Sequence, residues 1–202
     1  MKLDRIIFAT GNEGKLKEIR MILQDLGVEV ISLKEAGVEA GAEENGTTFE
    51  ENARIKAQAV MEQTGEVVLA DDSGLEVDAL NKEPGIHSAR YMGYDTSYHI
   101  KNQNLIDRLA GKKGAERSAR FVCAIAAALP DGRVITTRGT MEGEIGYEER
   151  GDNGFGYDPI FYLPEHGCYS GELLLEVKNQ LSHRGKALRL MKEELRKLKE
   201  EP

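Results

Sequence analysis

Two consecutive aspartates, Asp71 and Asp72, follow the apolar run Val67–Ala70, which predicts a short buried strand ending at the pair. On an extended chain neighbouring side chains point to opposite sides, so one carboxylate can enter a pocket while the other braces the loop. A carboxylate in that place can ligate Mg²⁺ or accept a proton from water. Aspartates also follow strands for purely structural reasons. We favour the functional interpretation.

A second candidate is the segment Thr10-Gly11-Asn12-Glu13-Gly14-Lys15, between a predicted strand and the start of a predicted helix. Glycines let the backbone approach a ligand closely, and the free N–H groups of a helix start attract phosphate. Lys15 opposes the helix dipole there, which an anionic ligand would explain. The spacing is too short for a P-loop. An ordinary strand–helix turn is the alternative.

Acidic residues come next, and a basic residue follows on a predicted helix. Glu43 and Glu44 could bind Mg²⁺, a hard cation that prefers oxygen ligands, although a solvated acidic loop is the commoner origin of such a pair. Asn52 and Lys56 are four residues apart and share one helix face, which could point at phosphate or simply be exposed.

The later candidates could serve phosphate and base recognition. Arg90 could clamp phosphate or form a surface salt bridge. The segment Gly154-Phe155-Gly156-Tyr157-Asp158 could present an aromatic face and a carboxylate to a purine base, or be a glycine-rich turn. Lys178 and the pair His183-Arg184 could donate hydrogen bonds to a purine carbonyl or to phosphate, while Ser182 could simply cap the last helix.

The elements that must position these residues alternate early between strand and helix. Leu16, Ile19, Leu23 and Leu26 mark one helix face, and Gly27 marks its end. Thr47-Thr48-Phe49-Glu50 matches a capping box before a second helix. The remaining predicted elements are a helix at Ser97–Leu109, a hairpin of Ala119–Leu129 and Arg133–Thr140 around Pro130-Asp131-Gly132, a five-glycine loop at 143–156, a strand at Ile160–Leu163 and a C-terminal helix. This order predicts one α/β domain with a mixed sheet, spanning residues 1–202.

Composition excludes several classes of protein. The chain has 202 residues and a net charge of −8, a poor basis for broad binding to nucleic acid or to anionic membranes. Its two cysteines form no disulfide framework, and Cys123 reads as a small buried thiol. No segment approaches the ~20 apolar residues of a membrane helix. We expect a cytoplasmic protein.

The order of these motifs resembles the inosine/xanthosine triphosphate pyrophosphatases, and the resemblance covers nearly the whole chain. It implies an elongated α/β fold of two lobes around a cleft, and a homodimer. It also implies Mg²⁺-dependent hydrolysis of ITP, dITP and XTP to the monophosphate and pyrophosphate, which keeps these nucleotides out of DNA and RNA. The matching signatures are Thr10-Gly11-Asn12 with Lys15, Glu43-Glu44, Phe49 with Asn52-Ala53, Lys56-Ala57, Ala70-Asp71-Asp72-Ser73-Gly74-Leu75, Pro84-Gly85-Ile86, Ser88-Ala89-Arg90-Tyr91, Gly154-Phe155-Gly156-Tyr157-Asp158-Pro159 and Ser182-His183-Arg184-Gly185-Lys186-Ala187.

The resemblance also implies a role for each site residue. Asp72 matches the proton acceptor and metal ligand, Glu43 matches the second metal carboxylate, and Glu44 is a further candidate ligand. The segment from Thr10 to Lys15 (Thr10, Gly11, Asn12, Glu13, Gly14 and Lys15) and Ser73 match substrate contacts. Lys56 and Arg90 match phosphate contacts. The implied base-recognition set is Phe155, Gly156, Tyr157, Asp158, Lys178, His183 and Arg184.

The chain departs from the family pattern near the base-recognition residues. His87 stands where an aromatic residue is usual, and the segments 168–171 and 174–177 differ from the Thr- and Glu-rich stretches expected there. These departures affect the ranking of substrates and leave the metal ligands intact. The rival interpretations are a pyrophosphatase of ordinary or modified-pyrimidine nucleotides, a non-catalytic nucleotide sensor and, disfavoured by charge, a nucleic-acid-binding module.

Overall fold

A computed structural model describes residues 3–39 and 43–200. Seven strands form one mixed sheet in the order β2-β1-β3-β4-β5-β6-β7. β1 pairs in parallel with β2 and β3, and β6 pairs antiparallel with β5 and β7. The mixed α/β sheet predicted from the sequence is therefore confirmed. The strands are β1 Arg5–Phe8, β2 Glu29–Ser32, β3 Val68–Val77, β4 Ser118–Ala128, β5 Val134–Ile145, β6 Phe161–Leu163 and β7 Cys168–Tyr169.

The α-helices are α1 Glu13–Leu23, α2 Phe49–Thr64, α3 Tyr98–Arg108, α4 Leu175–Leu181 and α5 His183–Glu200, and short 3₁₀ turns connect several elements. None of the helices in the described ranges is long and apolar enough to cross a membrane. The chain folds into two compact units. Unit 1 holds the residues up to Asp72, Cys123–Gly139 and the residues from His183 on, and unit 2 holds Ser73–Val122 and Thr140–Ser182.

Unit 1 has a core of apolar side chains from strands and helices. Its four-residue strand β1 buries Ile6, Ile7 and Phe8 completely. Helices α1 and α5 bury the apolar faces that their spacing predicts, and Leu16, Ile19, Leu188, Met191 and Leu195 join one cluster with Phe8 and Cys123. Burial of this kind, rather than helix propensity, supplies most of the stability of such helices.

The last helix lies very close to β5 within unit 1. A Cβ built on Gly139 would come within 2.2 Å of the carbonyl oxygen of His183, so only glycine permits this approach. The Thr137 hydroxyl donates to the Ala187 carbonyl at 2.9 Å. These contacts fix the position of the first turn of α5, where the predicted donors His183 and Arg184 lie.

Unit 2 has its own core, formed by β3, β4, β5, β6 and α3. Leu75, Leu105, Ile160 and Phe161 are completely buried there. The Tyr157 ring is also buried in this cluster, and its hydroxyl donates to the Ser88 carbonyl at 2.7 Å. This core positions the loop at 154–158.

The structure corrects four predicted element boundaries. β3 does not end before Asp71 but continues through both aspartates to Val77, because partners in the fold neutralise their charge. The N-cap of α2 is Thr48, which accepts from Glu51 N–H, so the helix begins one residue later than the predicted capping box places it. Gly143 lies in β5 and not in a loop, and residues 158–160 form a 3₁₀ turn before β6. Helix α4 was not predicted.

Candidate active site

Asp72 is the centre of the first polar cluster, within unit 1. It is only 9% exposed, and its Oδ2 accepts a hydrogen bond of 3.1 Å from Asn52 Nδ2. Lys56 Nζ lies 3.8 Å from Asp72 Oδ1 and 3.5 Å from Glu44 Oε1. The spacing of Asn52 and Lys56 on one face of α2 therefore does bring both side chains to a carboxylate, as helix geometry allows.

The surroundings of Asp72 make it a better proton acceptor than an ordinary aspartate. Burial raises its pKa, because desolvation disfavours the charged carboxylate. Lys56 and the hydrogen bond from Asn52 oppose that rise, while the negative charges of Glu44 and Asp71 add to it. A carboxylate with a raised pKa in a polar cluster is a candidate general base.

Asp71 belongs to a different and more deeply buried cluster. Its Oδ2 lies 2.8 Å from Lys15 Nζ and 3.4 Å from Arg184 Nε, and the carboxylate side chain is 2% exposed. Arg184 also pairs with Glu18 at 3.2 Å. Burial tends to raise the pKa of Asp71, but the charges of Lys15 and Arg184 outweigh it and hold the pKa far below its usual range. Asp71 is thus a permanent anion that braces two cations.

The loop before α1 shows how the sequence positions Lys15. Asn12 is the N-cap of α1, and its Oδ1 accepts from Lys15 N–H at 3.1 Å. The Thr10 hydroxyl accepts from Asn12 N–H at 3.1 Å, and Gly11, Glu13 and Gly14 are exposed. The loop therefore presents the start of a helix to solvent, with Lys15 held beside Asp71. This is the geometry expected of a phosphate-binding loop.

The two predicted metal carboxylates occupy different positions. Glu44 is half-buried beside Lys56, whereas Glu43 is exposed. Within the described ranges no three side chains of His, Cys, Asp or Glu are grouped as a metal site. Mg²⁺ usually takes one or two carboxylates and completes its shell with water and substrate phosphate oxygens, so the hard-oxygen pair of Asp72 and Glu44 is compatible with that ion.

The structure brings three of the predicted base-recognition residues together within unit 2. Asp158 is 4% exposed and accepts hydrogen bonds from Lys178 Nζ, from Phe155 N–H at 2.9 Å and from Ser170 Oγ at 2.7 Å. Lys178 Nζ also lies 5.5 Å from the centre of the Phe155 ring, which is 59% exposed. An exposed aromatic face beside a held ammonium can stack on a base and donate to its carbonyl.

Glycine is required for this arrangement. A Cβ on Gly154 would lie 2.3 Å from Asp158 Oδ2 and 2.8 Å from Lys178 Nζ, and the residue has a φ of +86°. Gly156 also has a positive φ and accepts from Asn102 Nδ2 through its carbonyl at 3.2 Å. The glycine spacing thus lets the loop fold tightly around the Lys178–Asp158 pair.

The remaining predicted residues have other surroundings. The Nε of Arg90 donates a hydrogen bond of 3.1 Å to His87 Nδ1. Arg184 is committed to Asp71 and Glu18, although the sequence suggested a base contact for it. His183 is the first residue of α5 and is half-buried, and Ser73 is half-buried in β3. Glu18 was not predicted, because it belongs to no motif and only the fold brings it beside this cluster.

The mixed sheet with its flanking helices places the chain in the α/β class, and the buried acid–lysine clusters of unit 1 lie beside the start of α1. A model of the Ham1 family matches residues 6–194, and the chain belongs to that family. The resemblance noted in the sequence is thereby confirmed.

Relatives and solved structures match over nearly the whole chain. The dITP/XTP pyrophosphatase of Exiguobacterium sibiricum is 48% identical over 185 residues, covering 92% of this chain and 93% of the relative. That of Desulforamulus reducens is 47% identical over 194 residues and covers 96% of both chains. The structure of a HAM1 protein from Coxiella burnetii superimposes with a TM-score of 0.90 at 42% identity, covering 96% of this chain and 100% of the other. The Staphylococcus aureus Ham1 protein gives 0.89 at 41% identity, with the same coverage.

Proposed function

We propose that this protein hydrolyses the deaminated purine nucleoside triphosphates ITP, dITP and XTP to the nucleoside monophosphate and pyrophosphate. The observation that carries the proposal is the Asp72 carboxylate, nearly buried and hydrogen-bonded to Asn52, with Lys56 and Glu44 beside it. The names of relatives that match over more than nine-tenths of the chain support the same reaction. Removing ITP, dITP and XTP from the nucleotide pool would prevent their incorporation into DNA and RNA.

The cations of unit 1 serve the triphosphate. A triphosphate carries about four negative charges, and its hydrolysis depends mainly on positioning and on electrostatic stabilisation. Lys15 and Lys56 are each about one-fifth exposed, so their ammonium groups are held by carboxylates and still reach solvent. The start of α1, with Thr10, Gly11, Asn12, Glu13 and Gly14, would bind phosphate oxygens through backbone N–H groups. Arg90 and Ser73 stay proposed substrate contacts.

Asp72 would accept the proton of the water that attacks the α-phosphorus. Burial raises the pKa of Asp72, which favours proton acceptance. Asn52 bonds to Oδ2 of Asp72, and the other carboxylate oxygen, Oδ1, lies near Lys56. Asp72 and Glu43 would hold Mg²⁺, with Glu44, which lies beside Lys56, as a further candidate ligand. When bound, this ion supplies positive charge to the phosphate oxygens.

Base selection would depend on the aromatic residue and the charged pair that lie together in unit 2. Phe155, Gly156 and Tyr157 form the aromatic loop, while Asp158 holds Lys178 in place to donate to the 6-carbonyl of hypoxanthine or xanthine. Adenine has an amino group there, which would set donor against donor and leave buried groups unpaired at about 1–3 kcal/mol each. His183 and Arg184 remain proposed contacts to the base. Arg184 would make its contact while keeping its ion pairs.

The experiment that tests the reaction follows the fate of oxygen. Hydrolysis of ITP in ¹⁸O-labelled water, analysed by mass spectrometry, should give labelled inosine monophosphate and unlabelled pyrophosphate in equal amounts. Label in pyrophosphate, or release of inosine diphosphate with inorganic phosphate, would contradict attack at the α-phosphorus. Homodimer formation, which the family resemblance implies, and a cytoplasmic location are further proposals, and light scattering tests the first.

A further inference from the structure

Asn52 is a polar side chain among the buried residues of α2, which are otherwise apolar. It is completely buried, as are its neighbours Ala53 and Ala57. Its Nδ2 donates to Asp72 Oδ2 at 3.1 Å, and its Oδ1 accepts from Gly46 N–H at 2.9 Å. A carboxylate oxygen accepts and a backbone N–H donates, so only this orientation of the amide satisfies both partners.

The Gly46 contact ties the acidic loop to the helix. A Cβ on Gly46 would lie 2.7 Å from Asn52 Oδ1 and 2.8 Å from Glu51 Cβ, so the approach requires glycine. Next in the chain, Thr47 donates from both N–H and hydroxyl to the Glu51 carboxylate, at 2.6 and 2.7 Å. Glu44, two residues before Gly46, is therefore carried on a loop that is anchored to the first turns of α2.

One amide thus contacts both parts of the proposed catalytic cluster. Asn52 fixes the rotamer of Asp72 through one end and the loop that carries Glu44 through the other. Lys56, one turn later on α2, lies near both carboxylates, at 3.8 Å from Asp72 and 3.5 Å from Glu44. Because these groups share a helix face, a shift of Asn52 would change the separation of Asp72 from Glu44.

We propose that Asn52 is a positioning residue for the hydrolytic step. It holds Asp72 and Glu44 at a fixed separation and does not contact the nucleotide. This inference rests on the proposed function. Residues that orient the groups of a reactive site typically change turnover by about 10- to 100-fold when removed. We therefore expect Asn52→Ala to lower kcat by about that factor, with little change in nucleotide affinity.

The test compares Asn52→Ala and Asn52→Asp with Val60→Ala. Val60 is a buried apolar residue of the same helix, and its truncation should lower stability without removing a hydrogen bond or an ion pair of the cluster. Aspartate at position 52 keeps the acceptor for Gly46 and loses the donor to Asp72. For each variant we would measure kcat and KM for ITP, the melting temperature, and the Kd of the uncleavable α,β-methylene analogue of ITP by calorimetry in EDTA.

The predicted result is a loss of kcat in Asn52→Asp at least as large as in Asn52→Ala, with Kd near the wild-type value in both and kcat unchanged in Val60→Ala. Wild-type turnover in Asn52→Asp would overturn the inference. A fall in kcat that is proportional to the fall in melting temperature in all three variants, Val60→Ala included, would also overturn it. An inactive wild-type protein would instead overturn the proposed function.

Discussion

Asp71 and Asp72 are adjacent in β3, yet their carboxylates enter two separate clusters. Asp71 pairs with Lys15 at 2.8 Å and with Arg184 at 3.4 Å, while Asp72 bonds to Asn52 at 3.1 Å. The alternation of side chains along a strand produces this separation. As a result the pKa of Asp71 is lowered and that of Asp72 is raised, so Asp71 is a fixed anion, while the raised pKa of Asp72 supports its proposed role as proton acceptor.

Replacement of Asp72 tests the acid–base role directly. Asp72→Asn keeps the shape of the side chain and removes its capacity to accept a proton. We expect turnover of ITP to fall by at least about 10²-fold, the usual scale for losing such a group. Pyrophosphate release in the steady state measures it, and a rate close to wild type would refute the assignment.

Replacement of Asp71 should act chiefly on stability. Asp71→Asn leaves Lys15 and the buried Arg184 without their shared anion, and breaking such a buried pair costs about 3–5 kcal/mol. Urea unfolding measures the free energy of unfolding. The matched control is Asp131→Asn, since its pair with Arg133 is nearly half exposed and should contribute at most about 1 kcal/mol. Equal losses in the two variants would contradict the bracing role of Asp71.

Replacement of Lys178 should change selectivity more than rate. Lys178→Ala removes the ammonium that Asp158 holds beside the Phe155 ring. We expect the ratio of kcat/KM for ITP over ATP to fall by about 10-fold or more, since one unpaired buried group costs about 1–3 kcal/mol. Arg133→Ala, far from these residues in the chain, serves as the control variant. An unchanged ratio would remove Lys178 from base recognition.

The stability of unit 2 should depend on pH through Asp78. Hydrogen bonds from Arg120, and then from Lys82 and Ser118, hold the pKa of Asp78 well below its usual range. In the unfolded chain an aspartate has a pKa of about 3.9. As pH falls below about 5, the unfolded chain therefore takes up a proton before the folded protein does, and the stabilisation is lost. Asp78→Asn should therefore destabilise by about 1 kcal/mol near neutral pH, as for partly exposed pairs.

Unfolding experiments on wild type and Asp78→Asn at a series of pH values check this sign. The difference in the free energy of unfolding between the two proteins should stay constant down to about pH 5 and shrink steadily as the pH falls further. A constant difference would show that Asp78 is not the titrating group.

The sequence predicted the fold through local periodicity. The apolar faces of α1 and α5, the hairpin of β4 and β5 and the mixed sheet follow from the spacing of apolar and turn residues. The extension of β3 through Asp71 could not be predicted, because it depends on Lys15 and Arg184, which lie 56 residues before and 113 residues after Asp71 in the chain. Helix α4 lacks a side-chain N-cap bond and buries no residue, so it gave no signal.

The candidate site was predicted by residue type but not by grouping. Motifs pointed to Asp72, Lys56 and Lys178 and, separately, to Asn52, Glu44 and Asp158. The structure shows which of them are partners. Arg184 shows the limit of this reasoning. A donor at a helix start suggested a ligand contact, whereas its pairs with Asp71 and Glu18 are contacts between distant segments that no local pattern encodes.

The proposed reaction is a metal-dependent pyrophosphate release that is selective for the deaminated purines hypoxanthine and xanthine. The most direct test measures pyrophosphate released from ITP, XTP, dITP, GTP and ATP, each with Mg²⁺ and with EDTA. Fast release from the first three with Mg²⁺ only, and slow release from GTP and ATP, is the predicted result. Equal rates on all five nucleotides, or release that persists in EDTA, would contradict it.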